Sequence, residues 1–283
     1  MSFVKEKDQV AGGAFLGDDL IFRPSEVLTI LYETKAEAIK KILPPPLVPY
    51  EKPYVIIAYN NFKDVNFDAG LRGPGYRETA LYIPATYEGK MGTYVAAMTL
   101  NTDLGAIMGR EIAGYPKKVG TVDHNYKDDR YVAFSARHGI PYATLEGILD
   151  GEPNDPNFLQ ELAKVLTSDP ARPGFGINWT FKWTPGLNGD VFMTTPLLME
   201  GWKSKKDLAP SRIGKGKVQL VWSDDDPWAE LEVERVLGAV LVNVESRMYL
   251  KDVVTHPVDP KEFEPYAFFG YDVMPGSAFN PKE

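Results

Sequence analysis

The sequence predicts an α+β fold: mostly antiparallel β, with a curved sheet closing into a barrel-like core and a few peripheral helices. Three observations predict it. Short runs rich in β-branched and aromatic residues recur between Val27 and Tyr249, separated by turn residues. Few segments carry the three-and-four apolar spacing of a helix. No internal repeat and no long linker divides the 283 residues, and a hydrophobic content of 44% with 12% aromatics is ample for one sizeable core. The chain is read as a single domain over 1–283, with 1–20 and 257–283 as peripheral extensions.

The elements follow in order. Val27–Thr34 reads as the first strand. Thr34-Lys-Ala-Glu37 has a capping-box pattern, which predicts a helix over Lys35–Leu43. Pro44, Pro45 and Pro46 stop it. Tyr54–Tyr59, Thr79–Ile83 and Thr93–Leu100 read as strands. Leu104, Ile107, Met108 and Ile112 have helical spacing, and Gly114 is placed to terminate that helix. Val119–Tyr126 and Tyr131–Arg137 flank Lys127-Asp-Asp-Arg130 as a hairpin, and Tyr142–Leu149 adds a strand. Asp155-Pro156 opens a second helix with Phe158, Leu159, Leu162, Val165 and Leu166 on one face. Ile177–Trp183, Val191–Met199, Val218–Trp222 and Val236–Tyr249 supply the late strands, and the tail from Pro257 packs irregularly on the body.

Composition removes several function classes. A formal charge of −8 argues against non-specific nucleic-acid binding. No apolar run is long enough for a membrane span, and Met1–Val10 is unlike a secretory signal. The absence of cysteine excludes disulfides and thiolate chemistry and fits a cytoplasmic protein. His124, His138 and His256 lack metal-ligand spacing, so no metal is expected. Asp224-Asp225-Asp226 and Asp150-Gly-Glu152 lack a calcium-loop spacing and read as solvated turns. Ser135, Ser211 and Ser223 lack a nucleophile elbow, and no phosphate-binding glycine pattern occurs.

The informative segment is Tyr115-Pro116-Lys117-Lys118. A neutral lysine amine attacks ketones to give a Schiff base, whose iminium accepts electrons from a breaking bond. A free lysine is handicapped by about 4–5 kcal/mol at pH 7, because almost every amine carries a proton. Adjacent side chains in a strand point to opposite faces, so two neighbouring ammonium groups stand about 8 Å apart and repel by about 2 kcal/mol. Burial must supply the rest. Lys40-Lys41 and Lys205-Lys206 are assigned to the surface.

Gly109-Arg110-Glu111 followed by Tyr115-Pro116-Lys117-Lys118-Val119-Gly120 resembles the catalytic segment of the acetoacetate decarboxylase family. Leu31-Tyr32-Glu33-Thr34, the proline turn Leu43-Pro-Pro-Pro-Leu47, and Arg77-Glu78 ahead of Ile83-Pro84 extend the likeness, which is clear over about residues 20–125 and weaker to about 255. The resemblance implies that Lys117 forms the Schiff base, that Lys118 is its neighbouring cation, a means of activation known for acetoacetate decarboxylase itself, and that Glu78 moves protons. It places Tyr115, Arg110 and Glu111 at the substrate site. It implies a homo-oligomer acting on a small-molecule oxo acid, with no cofactor, no nucleic acid and no membrane. Two positions depart from the family pattern. Ser25 stands where the family has an arginine, with Arg23 two residues away as a substitute substrate-binding group. Ala58 stands where the family has a second glutamate.

The expected reaction is decarboxylation of a 3-oxo acid such as acetoacetate. The alternative is an aldolase-dehydratase or hydratase acting on a 2-oxo acid such as pyruvate through the same lysine. A reading of a different class is a non-catalytic barrel that holds a small ligand among Trp179, Phe181, Trp183, Tyr266, Phe268 and Phe269.

Overall fold

A computed structural model describes residues 3–4, 19–67, 72–187, 189–270 and 272. Most of the expected 1–20 extension and the end of the 257–283 extension lie outside the described residues. In chain order the elements are β1 (Leu20–Glu33), α1 (Ala36–Ile42), β2 (Val48–Pro49), β3 (Tyr54–Phe67), β4 (Arg72–Tyr87), β5 (Lys90–Leu100) and α2 (Asp103–Ala113). There follow β6 (Lys117–Val119), β7 (Thr121–Lys127), β8 (Arg130–Arg137), β9 (Ile140–Ile148), α3 (Phe158–Leu166) and β10 (Phe175–Lys182). The last are β11 (Leu197–Asp207), β12 (Arg212–Leu220), β13 (Arg235–Met248), β14 (Val254–Pro257) and α4 (Pro260–Ala267).

Seven strands close on themselves in the order β1, β3, β4, β5, β10, β11, β13, with β13 returning to β1. Every neighbour pair in this ring is antiparallel except β5 with β10. The order β13-β12-β9-β8-β7 continues the sheet beyond the ring. Leu28, Ile30 and Tyr32 on one face of β1 share a core with Tyr131, Ala133 and Leu145 of that extension. Thr29 and the other inward residues of β1 face the barrel interior. Burial on both faces is why Val27–Tyr32 reads as a near-continuous apolar run, with Thr29 its one polar member, rather than an alternation. Helix α3 packs Phe158, Leu162 and Val165 against Leu31, Ile56 and Leu237. No helix among the described residues is long and apolar enough to cross a membrane.

The α+β barrel class holds, and several boundaries move. Strand β1 begins seven residues earlier than predicted, because Leu20 already pairs with Met248 of β13. The capping box does not form: α1 starts after Lys35, with no side-chain cap, and the Thr34 hydroxyl is buried without a partner. Leu159 faces outward, 46% exposed, so it leaves the predicted apolar face of α3. The strand expected over Val191–Met199 begins only at Leu197 and runs on to Asp207, through a polar stretch without a strand signature. The tail contains a helix, α4, whose Asp259 accepts a 2.8 Å hydrogen bond from the Lys261 N–H.

Candidate active site

The barrel encloses a cavity of ≈ 170 Å³, and each of its seven strands contributes to the wall. Phe22, Ile56, Ala58, Phe62, Met98 and Met248 give it an apolar lining, and α2 closes one end with Leu104, Met108 and Ile112. Such a site removes a ligand from water and strengthens the electrostatic contacts within it.

The chain delivers Lys117 to this cavity in three steps. Gly114 ends α2 with φ 68 and ψ 19, a left-handed conformation that costs glycine little. The Tyr115 N–H then donates to Gly109 O at 3.1 Å and the Lys117 N–H to Tyr115 O at 2.8 Å, folding the loop tightly back on the helix. Finally β6 pairs parallel to β5, with Lys117 beside Met98 and Lys118 beside Thr99. Strand alternation sends the two lysines to opposite faces.

Lys117 is 7% exposed, and its Nζ donates to Glu78 Oε2 at 3.1 Å and to the Tyr76 hydroxyl at 3.2 Å. The rings of Tyr76 and Tyr115 lie 5.1 and 5.6 Å from the same nitrogen, within cation–π range. Glu78 is 4% exposed and sits across the strand pair from Asn60. Burial, then the Glu78 carboxylate, holds the Tyr76 hydroxyl well above the usual tyrosine range, so it stays protonated. Burial likewise raises Tyr115, whose hydroxyl accepts from Asn178 Nδ2 at 3.0 Å. The Thr93 hydroxyl donates to Asn178 Oδ1 at 3.1 Å and fixes that amide.

Gly109 explains part of the motif around the lysine. A Cβ there would stand 2.7 Å from Lys117 Cδ and 2.8 Å from its Cε. Gly109→Ala is therefore expected to push the lysine stem aside without disturbing the barrel. A shift of about 1 Å can cost ~10²-fold in rate. The expected result is a loss of that order in kcat/KM with an unchanged circular dichroism spectrum.

The remaining expected site residues separate. Lys118 is also buried, yet its Nζ turns away from the cavity. It pairs with Asp272 Oδ1 at 3.1 Å and Asp226 Oδ1 at 3.9 Å and donates to the Asp225 carbonyl. Arg137 joins the same network through Asp226 at 2.9 Å, and its hydrogen bonds to Asp272 hold that carboxyl far below the usual range. The charge of Lys118 is thus compensated locally, which weakens it as a repulsive neighbour of Lys117. Asp226, read as a solvated turn residue, is 1% exposed, and burial raises its pKa. Arg110 and Glu111 lie exposed on the outer side of α2. Arg110 Nη1 reaches the Lys117 carbonyl at 3.4 Å, and neither side chain lines the inner cavity. Arg110 thus braces the lysine segment from outside, and Glu111 stands exposed on the same side.

Arg23 corrects an expectation: its side chain is 62% exposed and pairs with Glu245 at 3.1 Å, away from the cavity. Ser25 is fully buried, and its hydroxyl donates to Phe22 O at 3.1 Å at a bulge in β1. Ala58 does line the cavity. Two residues on, and so on the same strand face, Asn60 adds a buried amide whose Nδ2 has no hydrogen-bond partner. Of the aromatics proposed to hold a ligand, none lines the inner cavity; Phe181, Trp183, Tyr266 and Phe269 instead line a separate outer cavity of ≈ 920 Å³ beside Lys118, Trp179 is core, and Phe268 is 55% exposed. Tyr76, Tyr82, Asn60 and Asn178 carry no local motif and join the site through strand register.

The described geometry can be set beside known proteins. The family model for acetoacetate decarboxylase matches residues 12–258. An acetoacetate decarboxylase of Clostridium botulinum is 37% identical over 99 residues, a local match covering 35% of this chain and 38% of that protein. A CLA biosynthesis isomerase of Lactiplantibacillus plantarum is 27% identical over 91% of this chain and 90% of its own length. Among solved structures, acetoacetate decarboxylase from Legionella pneumophila superposes with a TM-score of 0.68 at 19% identity, covering 85% of this chain and 87% of that one. The enduracididine biosynthesis enzyme MppR, solved with pyruvate, gives 0.63 at 13% identity, covering 86% and 90%. At these identities the structures establish a shared fold.

Proposed function

This chain belongs to the acetoacetate decarboxylase family, and from that premise we propose that it is a lyase working on a small oxo acid through a lysine iminium, with decarboxylation of a 3-oxo acid such as acetoacetate as its reaction. The observation that carries this reading is the buried contact of Lys117 Nζ with Glu78 Oε2 at 3.1 Å inside an apolar cavity. Transfer of one proton from the ammonium to the carboxylate leaves an uncharged amine and an uncharged acid. The 3.1 Å contact gives that proton a direct path.

The amine lone pair attacks the ketone carbon. Glu78 gives its proton to the departing hydroxyl, water leaves, and the iminium forms. The bond to the carboxylate breaks, its electron pair moves into the iminium, and carbon dioxide departs from a neutral enamine. Glu78 takes a proton from water and delivers it to the enamine carbon, and hydrolysis releases the ketone and free Lys117. One proton is consumed overall, as loss of carbon dioxide from a carboxylate requires. Tyr76 holds the amine in place, and the unpartnered Asn60 amide offers a hydrogen bond to a substrate oxygen.

A second reading uses the same iminium. Glu78 removes a proton from the adjacent carbon, and the enamine is reprotonated elsewhere or attacks an aldehyde with loss of water. One observation favours it: Ser25 stands at the family arginine position and donates to Phe22 O, Arg23 is exposed and paired to Glu245, and Arg247, which does line the cavity, pairs with Asp19. The relative named for isomerisation and the neighbour solved with pyruvate accord with it.

The test is incubation with acetoacetate, and with pyruvate plus an aldehyde, followed by carbon dioxide release, product mass and borohydride trapping. Carbon dioxide with no condensation product supports the first reaction. An unsaturated 2-oxo acid without carbon dioxide supports the second. The absence of a reduced adduct on Lys117 with any substrate overturns both.

A further inference from the structure

Lys203 is a second lysine on the wall of the same cavity, and the chemistry above does not use it. It stands on β11 opposite Met248 of β13, with Lys205 two residues on and Ser246 and Met248 beside it on the wall. Among the described residues its Nζ has no carboxylate partner. The amine lies 5.2 Å from the centroid of the Tyr82 ring. The other two lysines buried beside the site differ in this respect: Lys117 has Glu78, and Lys118 has Asp226 and Asp272. Lys203 is half-buried and Lys205 exposed; partial loss of water and the neighbouring Lys205 charge bring the pKa of Lys203 down to about 7, which fits a cation lacking a counter-ion.

Tyr82 marks the path between the two amines. Its ring packs with Met98 and Tyr115, and Tyr115 in turn faces Lys117. The cavity that Lys117 and Lys203 share is lined largely by apolar and aromatic side chains, with Ile56, Tyr82, Met98 and Met248 among them and Asn60 and Asn178 as polar members. An electrophile-seeking amine therefore stands at one end of an apolar passage and an unpaired cation at the other.

We propose that Lys203 binds the carboxylate of a substrate whose ketone condenses with Lys117, the two groups being joined by an apolar chain that lies along Tyr82. The substrate class is an oxo acid with its carboxylate remote from its ketone. This rests on Lys117 forming the iminium. It favours the second reaction, because a remote carboxylate cannot leave as carbon dioxide with its electrons passing into that iminium, whereas a proton beside the ketone can still move to Glu78.

The experiment uses methyl-ketone acids of graded length, from 4-oxopentanoate to 11-oxododecanoate, and their methyl esters. Borohydride-trapped Lys117 adduct is measured against ligand concentration in the wild type, Lys203→Met and Lys203→Arg. The expected result is that at least one acid half-saturates trapping at about tenfold lower concentration than its ester. Lys203→Met removes that preference and leaves the ester curve unchanged, which also shows that the site is folded, and Lys203→Arg retains it. Adducts without any acid preference, or a preference intact in Lys203→Met, overturn the carboxylate-anchor proposal alone. A wild type that traps no ketone on Lys117 overturns the iminium reading and this inference with it.

Discussion

Lys117→Ala is expected to abolish every borohydride-trapped adduct and to lower kcat/KM by ~10⁴-fold or more, since a covalent catalyst without its nucleophile retains only binding and electrostatic contributions. The amine is 7% exposed, 3.1 Å from Glu78 and 3.2 Å from Tyr76, and no other lysine is placed to contact Glu78 among the described residues. The substitution also leaves a buried carboxylate without its cation. Breaking such a pair costs about 3–5 kcal/mol when the survivor stays charged. Thermal unfolding should accompany the assay, and Lys117→Met, which keeps the apolar stem, separates chemistry from stability. If either variant still yields an adduct elsewhere in the cavity together with undiminished turnover, Lys117 is not the nucleophile.

Glu78→Gln is expected to divide the reaction into its parts. The amide keeps the shape and can still accept a hydrogen bond from Lys117, so the amine keeps its place. It can no longer carry a proton between nitrogen, oxygen and carbon. General acid–base catalysis contributes about 10²–10⁴-fold, and turnover should fall within that range. The adduct should still form, slowly, and be trapped. A purely structural Glu78 would instead lose adduct formation and turnover in parallel with stability. Measuring trapped adduct and steady-state rate on the same preparation distinguishes the two, and equal rates for Glu78→Gln and wild type would remove Glu78 from the chemistry.

Local patterns made much of the fold legible. Helix α2 and its glycine terminator could be placed because apolar spacing at Leu104, Ile107, Met108 and Ile112 and the left-handed preference of Gly114 are properties of neighbouring residues. The hairpin at Lys127–Arg130 was readable for the same reason. Strand β11 was half hidden, since Lys203–Asp207 is polar and its pairing with β13 is decided by register with a distant segment. The capping box failed because Thr34 is buried between β1 and α1, where burial outweighs a local capping preference.

The candidate site divides in the same way. Lys117 and Glu78 could be named from motif and separation along the chain. The direction in which Lys118 points could not, because it follows from β6 pairing in parallel beside β5 and from Asp226 and Asp272 arriving from far along the chain. Arg23 shows the converse. Its chain position suited a substrate contact, and a bulge in β1 turned Ser25 inward while Arg23 paired with Glu245 in solvent.

By itself the sequence determined the class of fold and singled out Lys117 as the candidate amine, because periodicity and a short contiguous motif are written in adjacent residues. Only the tertiary structure decided what surrounds that amine. Barrel closure brings seven strands into one wall, pairing residues as far apart in the chain as Leu20 and Met248, and strand register chooses which side chains face inward. Register depends on pairing between distant segments, and no local stretch of residues encodes it.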